Sequence, residues 1–333
     1  MRLSRTAAIA AIVAAIALVA GLAACGEKSE DVSGETQSFG LTLDFYPNPD
    51  HAGIYMAQKL GYFEDAGLDV SIDTPSDPAA PIKQLAAGRT DLAISYEPEV
   101  VLANQQGLGV VAIAALVDRP LTSMIWLKKS GIGGIADLRG KTIATAGIPY
   151  QDAYLKTILA RANLSTGDVK SVNVGFGLLP AIIGGSADAM LGGFSNVEGV
   201  DLRMRGKDPV VTPVDKLGVP TYDELVLVAQ RRRLEEDPEP FRLFLAALAR
   251  GTAAAVKSPG ATTAALLEAN KGLDPKLTRA EVDATLPVLG SQRMSALRWA
   301  EFIAWMRDNG LISSAPSPSQ VMSDDYVPGK IPE

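Results

Sequence analysis

Apolar residues alternate with small or polar ones at Phe39, Leu41, Leu43 and Phe45, a period that predicts a half-buried strand. Pro47 and Pro49 forbid further ladder pairing and stiffen the loop that follows. Asp50 is placed to cap a helix that runs until Gly61. Leu68, Val70 and Ile72 alternate with Asp69, Ser71 and Asp73 as a second strand. Residues 81–87 read as a helix stopped by Gly88, and 91–95 as a short apolar strand. This βαβα rhythm predicts an α/β fold, a mainly parallel sheet covered by helices. Residues 110–116 and 123–127 supply two more strands.

The rhythm then restarts. Residues 142–146 form a strand, Gly147-Ile148-Pro149-Tyr150 a loop, and 152–162 a helix. Strands follow at 169–174 and 187–191, with a helical turn or two at 179–183 between them. Beyond an apolar strand at 222–229 the chain reads as mostly helical to Asn309, with a Pro/Ser-rich end at 315–333 wrapping one lobe. A faint repeat aligns 85–94 with 182–191: each is a helix end, Gly-x-x-Asp, then a strand. Each strand runs out into an aromatic and an acid, Tyr96 and Glu97 in the first, Phe194 and Glu198 in the second. Ligands of open α/β sheets bind at the C-terminal ends of strands, so the pattern predicts two lobes facing a cleft. Asp44, Phe45, Tyr46, Asn48 and His51 fall where a small molecule would sit.

The chain's 333 residues leave room for two lobes. The first 24 stand apart: Arg2 and Arg5 form a basic head, and the uncharged Ala/Ile/Val/Leu run that follows ends Leu22-Ala23-Ala24-Cys25. This has the form of a bacterial lipoprotein signal with its lipobox, and the run is too Ala- and Gly-rich to make a strong transmembrane span. Cys25 is the only cysteine, so no internal disulfide is available and lipidation is its natural role. Residues 25–37 then read as the lipidated cysteine and a polar tether. The net charge of −7 becomes −9 once Arg2 and Arg5 leave with the leader, which argues against nucleic acid or anionic lipid as partner.

Several blocks together carry a family resemblance: Asp44-aromatic-x-Pro-Asn, His51-x-Gly-x-Tyr55, Gly61-Tyr62-Phe63, Ile94-Ser95-Tyr96, the run 120–127, Gly192-Gly193-Phe194-Ser195-Asn196-Val197-Glu198, and 218–225. Across 41–229 the chain resembles the solute-binding proteins of ABC importers that carry the thiamine-pyrimidine precursor, relatives of the fungal pyrimidine synthases. The resemblance implies a two-lobed periplasmic-binding-protein-like fold of type II. Lobe one would be 38–128 with 229–320, lobe two 129–228, and 321–333 a tail. Hinge strands would lie near 125–128 and 225–229. It implies a receptor rather than an enzyme, held by lipidated Cys25 at the outer face of the bacterial membrane or in the periplasm. The receptor would be a monomer passing a formylaminopyrimidine or hydroxymethylpyrimidine to a permease and its ATPase. Family members usually carry Trp where Phe45 stands and Tyr where Phe194 stands; both substitutions keep a stacking face and lose a polar tip. Riboflavin or another heteroaromatic, or a sulfonate- or nitrate-type anion, is the alternative ligand.

Within this frame Asp44 would accept hydrogen bonds from ring amino groups, and Phe45 and Tyr46 would stack on a ring. His51, the only histidine, has no partners for a triad or a metal site, and either touches the ligand or shapes the loop. A synthase consuming His51 is the remote enzymatic alternative. Tyr96, Glu97 and Tyr150 are further cleft candidates, with Phe194, Asn196 and Glu198 as the anchors of lobe two. Tyr55, Tyr222 and Glu224 read as structural. No cofactor, metal or catalytic group is expected. The Gly-rich run at 131–136 lacks the acidic residue of a dinucleotide site, and Arg231-Arg232-Arg233, followed by Glu235, Glu236 and Asp237, reads as a solvated helix start.

Overall fold

The computed structural model describes residues 36–329. The expected leader, Cys25 and nearly all of the tether lie outside the described residues, while Gln37, expected in the tether, already pairs in a strand. Ten strands are described: β1 (Gln37–Thr42), β2 (Leu68–Asp73), β3 (Leu92–Ser95), β4 (Val110–Val117), β5 (Thr122–Leu127), β6 (Thr142–Thr145), β7 (Lys170–Asn173), β8 (Ala189–Phe194), β9 (Pro209–Pro213) and β10 (Leu225–Gln230). They form two five-stranded sheets, ordered β2-β1-β3-β10-β4 and β7-β6-β8-β5-β9. Within each sheet four strands run one way and the fourth position is reversed, β10 against β3 and β4, β5 against β8 and β9. Each reversed strand is the one that arrives from the other sheet.

The two sheets therefore share one topology, and the sequence repeat has a structural counterpart. β3 in the first sheet occupies the position of β8 in the second, and β1 that of β6. Asp91 accepts the Gly40 backbone N–H at 2.8 Å through its side chain, and Asp188 does the same for Thr142, also at 2.8 Å. The Gly-x-x-Asp repeat thus stitches the start of one strand to its neighbour in both lobes.

Two placements differ from expectation. β5 is paired along its length inside the second sheet, and β10 inside the first, so the chain does not cross between sheets at 125–128 or 225–229. The crossings are the short segments before these strands, 118–121 and 214–224. Apolar runs signal a strand and carry no information about which sheet it joins. The second difference is β9, whose flanking prolines and half-buried positions conceal the strand signal.

Helices cover both sheets. Helix Glu239–Lys257 packs on helix Ala52–Lys59 at glycines: a Cβ on Gly251 would lie 2.2 Å from the Gly53 carbonyl oxygen, and one on Gly53 2.3 Å from Thr252 Oγ1. This close approach seats the helix that follows the proline loop. Phe244 stacks on Phe63 at 4.9 Å, and Phe39 of β1 meets Phe241 and Phe244 at 5.4 and 5.5 Å. The outer edge of β4 is covered by the C-terminal chain: Gly290 donates to the Leu116 carbonyl, and Ser323 to that of Ala112. Covering a fully apolar edge strand removes a template for aggregation.

Candidate functional site

β1 ends at Thr42, so the loop 43–51 leaves the sheet just where Asp44 begins the motif. Asn48 locks that loop. Its side-chain oxygen accepts the Asp50 N–H at 2.8 Å, and its own backbone N–H donates to His51 Nδ1 at 3.2 Å. Because Nδ1 accepts, the ring proton sits on Nε2, which donates to Asp44 Oδ1 at 2.9 Å. Tyr96, first residue after β3, donates its hydroxyl to Asp44 Oδ2 at 2.8 Å. Both oxygens of a side chain that is 1 % exposed are thus held in place, with lone pairs left over.

Opposite this loop lie the ends of β6 and β8. Glu198 opens helix Glu198–Met204; its Oε2 accepts the Phe194 N–H at 2.7 Å and its Oε1 the Tyr46 hydroxyl at 3.4 Å. Burial pushes its carboxyl up to about 7, against the pull of the backbone N–H bonds. Burial likewise raises Tyr46, Tyr96 and Tyr150, which remain protonated donors.

Between the lobes runs a slot lined by Asp44, Phe45, Asn48 and Tyr96 on one side and by Tyr150, Gln151, Gly192, Phe194, Val197 and Glu198, with Ala146 and Ile148, on the other. It encloses about 370 Å3 including its mouth, and the lobes are already in contact around it. Phe45 meets Phe176 edge-on at 4.6 Å, and Tyr96 meets Tyr150 at 5.5 Å. Among the described residues no Arg, Lys or His lines the slot.

Of the eleven expected residues, seven line this slot: Asp44, Phe45, Asn48, Tyr96, Tyr150, Phe194 and Glu198. Tyr46 reaches it through Glu198. Three belong elsewhere. His51 is wholly buried behind Asp44, so it shapes and orients rather than lines. Glu97 turns away, accepting the Asp223 N–H at 2.7 Å, and burial raises its carboxyl well above the usual range. Asn196 spans the lobes, donating to Asp50 Oδ1 at 2.7 Å and to Thr285 Oγ1 at 2.8 Å. Burial also raises Asp50 well above the usual range. Its Oδ2 and the Asn196 Oδ1 are both buried and, among the described residues, without a hydrogen-bond partner.

Sequence reasoning missed Gln151 and Phe176. Gln151 follows the Gly-x-Pro-Tyr loop, and its position becomes informative only when β6 and β8 are adjacent. Phe176 sits between two glycines after β7, with no periodic signal around it.

The family model described as NMT1/THI5 like matches residues 48–262. A Haemophilus influenzae protein named for thiamine biosynthesis is 35% identical over 282 residues, covering 84% of this chain and 89% of its own length. A formylaminopyrimidine-binding protein of Halalkalibacterium halodurans is 33% identical over 305 residues, 89% of this chain and 92% of that protein. Synthases of 4-amino-5-hydroxymethyl-2-methylpyrimidine phosphate match at lower identity, 26% for the one from Legionella pneumophila. Among solved structures, the alkanesulfonate-binding protein SsuA of Xanthomonas axonopodis, bound to MOPS, superposes with a TM-score of 0.69 at 17% identity, covering 87% of this chain and 99% of that one. The two sheets share the fold of that solute-binding protein, and the chain belongs to the NMT1/THI5-like family.

Proposed function

We propose that the protein is the extracytoplasmic receptor of an ABC importer for a pyrimidine thiamine precursor of the formylaminopyrimidine or hydroxymethylpyrimidine type. It binds this solute without converting it and delivers it to a membrane permease. The observation that carries the reading is the slot itself, with Asp44 and Glu198 entering from opposite lobes between aromatic faces and no cation among its lining residues. Carboxyl oxygens accept from amino groups, and Phe45 and Phe194 offer faces to a flat ring. A sulfonate, nitrate or phosphate ester would meet these acids unneutralised, which disfavours an anionic ligand. The 33% identical formylaminopyrimidine-binding protein supports the choice of ring.

His51 supports binding rather than turnover: it is sealed behind Asp44, with both ring nitrogens engaged. Lipidation of Cys25 would hold the receptor at the membrane through the tether.

Thermal unfolding with candidate solutes tests the reading. Formylaminopyrimidine at 100 times its Kd should add about 2.7 kcal/mol of stability and be recovered unchanged. No shift with any aminopyrimidine, alongside a shift with an alkanesulfonate, would overturn it.

A further inference from the structure

Gln151 is 2 % exposed and lines the slot. Its Oε1 is fixed from behind, accepting the backbone N–H groups of Ala146 at 3.0 Å and Ile148 at 3.4 Å. An amide whose oxygen is held this way must aim its nitrogen in the opposite direction. That direction is toward Gly192, where an added Cβ would lie 2.3 Å from Nε2. Gly192 has φ +114°, a conformation that side-chain-bearing residues rarely adopt, so the absence of a side chain and the place of the amide are two parts of one arrangement. Among the described residues Nε2 has no hydrogen-bond acceptor of its own. The lobe-two wall therefore presents one oriented N–H donor beside the acceptor Glu198.

We propose that Gln151 is a specificity-determining residue whose Nε2–H donates to a lone-pair acceptor on the bound solute, a carbonyl oxygen or an unprotonated ring nitrogen. This rests on the reading that an aminopyrimidine occupies the slot, and it sharpens that reading. The solute must offer amino N–H groups to the acids and an acceptor to Gln151. A solute edge made only of donors leaves the amide facing N–H groups, and a buried polar group left unpaired is what discriminates strongly between near-isosteres. Oxygen held by two backbone donors also fixes the side-chain rotamer before binding, so little entropy is lost when the bond forms.

Q151E tests this, because one carboxyl oxygen can keep both backbone contacts while the other replaces the donor. Calorimetry at pH 8 would compare three probes: formylaminopyrimidine, its 5-ethyl counterpart without the carbonyl, and the pyridine counterpart without the ring nitrogen beside the amino group. The variant should bind the parent compound about 10- to 100-fold more weakly than wild type. The penalty should vanish for the one counterpart that lacks the accepting atom, which tells carbonyl from ring nitrogen. An unchanged affinity for the parent, or an equal penalty for all three probes, would overturn the assignment. If Q151E does not fold, the wild-type protein decides: at least one counterpart must bind ten-fold or more weakly than the parent, and equal binding of all three overturns it. Wild type binding none of the three would instead refute the pyrimidine reading, and this inference with it.

Discussion

His51 Nε2 lies 2.9 Å from Asp44 Oδ1, at the far side of a carboxyl whose other oxygen takes the Tyr96 hydroxyl. The histidine therefore acts through the acid. His51→Ala leaves Oδ1 without its donor and removes the Nδ1 acceptor that holds the Asn48 N–H. We expect solute affinity to fall by about 1–3 kcal/mol, the size of one buried charge-assisted bond. Calorimetry beside Asp44→Asn checks it: the double variant should lose less than the sum of the singles, since the two residues share one bond. Full additivity would mean that His51 does not orient Asp44.

Glu198 is the acceptor on the other wall. Glu198→Gln keeps its volume and replaces one oxygen with an amide nitrogen. An aminopyrimidine should bind about 1.5–3 kcal/mol more weakly. Unchanged affinity by titration calorimetry would remove Glu198 from the site.

Acids gather where the lobes meet. Glu281 is pushed up to about 8 by burial and then by Glu198, Asp201 and Asp50, while Glu198 itself stands at about 7. Arg205 pairs with Asp201 and, among the described residues, is the one cation bonded to this group. These acids hold protons in the folded state that the unfolded chain, titrating near 4.5, has already released. Stability should therefore fall as pH rises from about 5 through about 8, since the folded form binds more protons across that window. Glu281→Gln should flatten the fall in melting temperature. A wild-type slope retained in the variant would show that the cluster does not drive it.

Gly251→Ala should destabilise the first lobe. Alanine gains roughly 1 kcal/mol of helix propensity, but its Cβ would press on the Gly53 carbonyl at 2.2 Å, backbone that cannot swing aside. Overpacking of this kind typically costs about 1–3 kcal/mol. Urea denaturation should show a lower midpoint; a higher one would mean that the two helices separate without cost.

The strand from Phe39 and the stiff proline loop were legible because alternation and proline act locally. The ladder nevertheless stops at Thr42, short of Leu43 and Phe45, and the capping side chain is Asn48 rather than Asp50, whose own N–H it accepts. The Gly-x-x-Asp repeat was legible too, and it correctly announced two sheets of one design. Partnerships across the slot were not. Glu97 and Glu198 carry the same signature, an acid after a strand, yet one meets Asp223 and the other the slot. Only the side-chain direction at each strand end separates them, and that depends on the sheet opposite. Asn196 was singled out for its chemistry, but its partners Asp50 and Thr285 lie far along the chain in each direction. Gln151 escaped notice because its meaning depends on Gly192, a strand away.

Glu224 stands at the end of one inter-sheet passage and grips the end of the other. Its carboxyl accepts the Leu121 and Thr122 N–H groups at 2.7 Å, the Thr122 hydroxyl at 2.8 Å, and the Tyr222 hydroxyl at 3.0 Å. Two separate ribbons of backbone are thereby riveted at a single pin. Neither ribbon can slip lengthwise past its twin while the rivet holds, so any displacement of one passage is carried to the other.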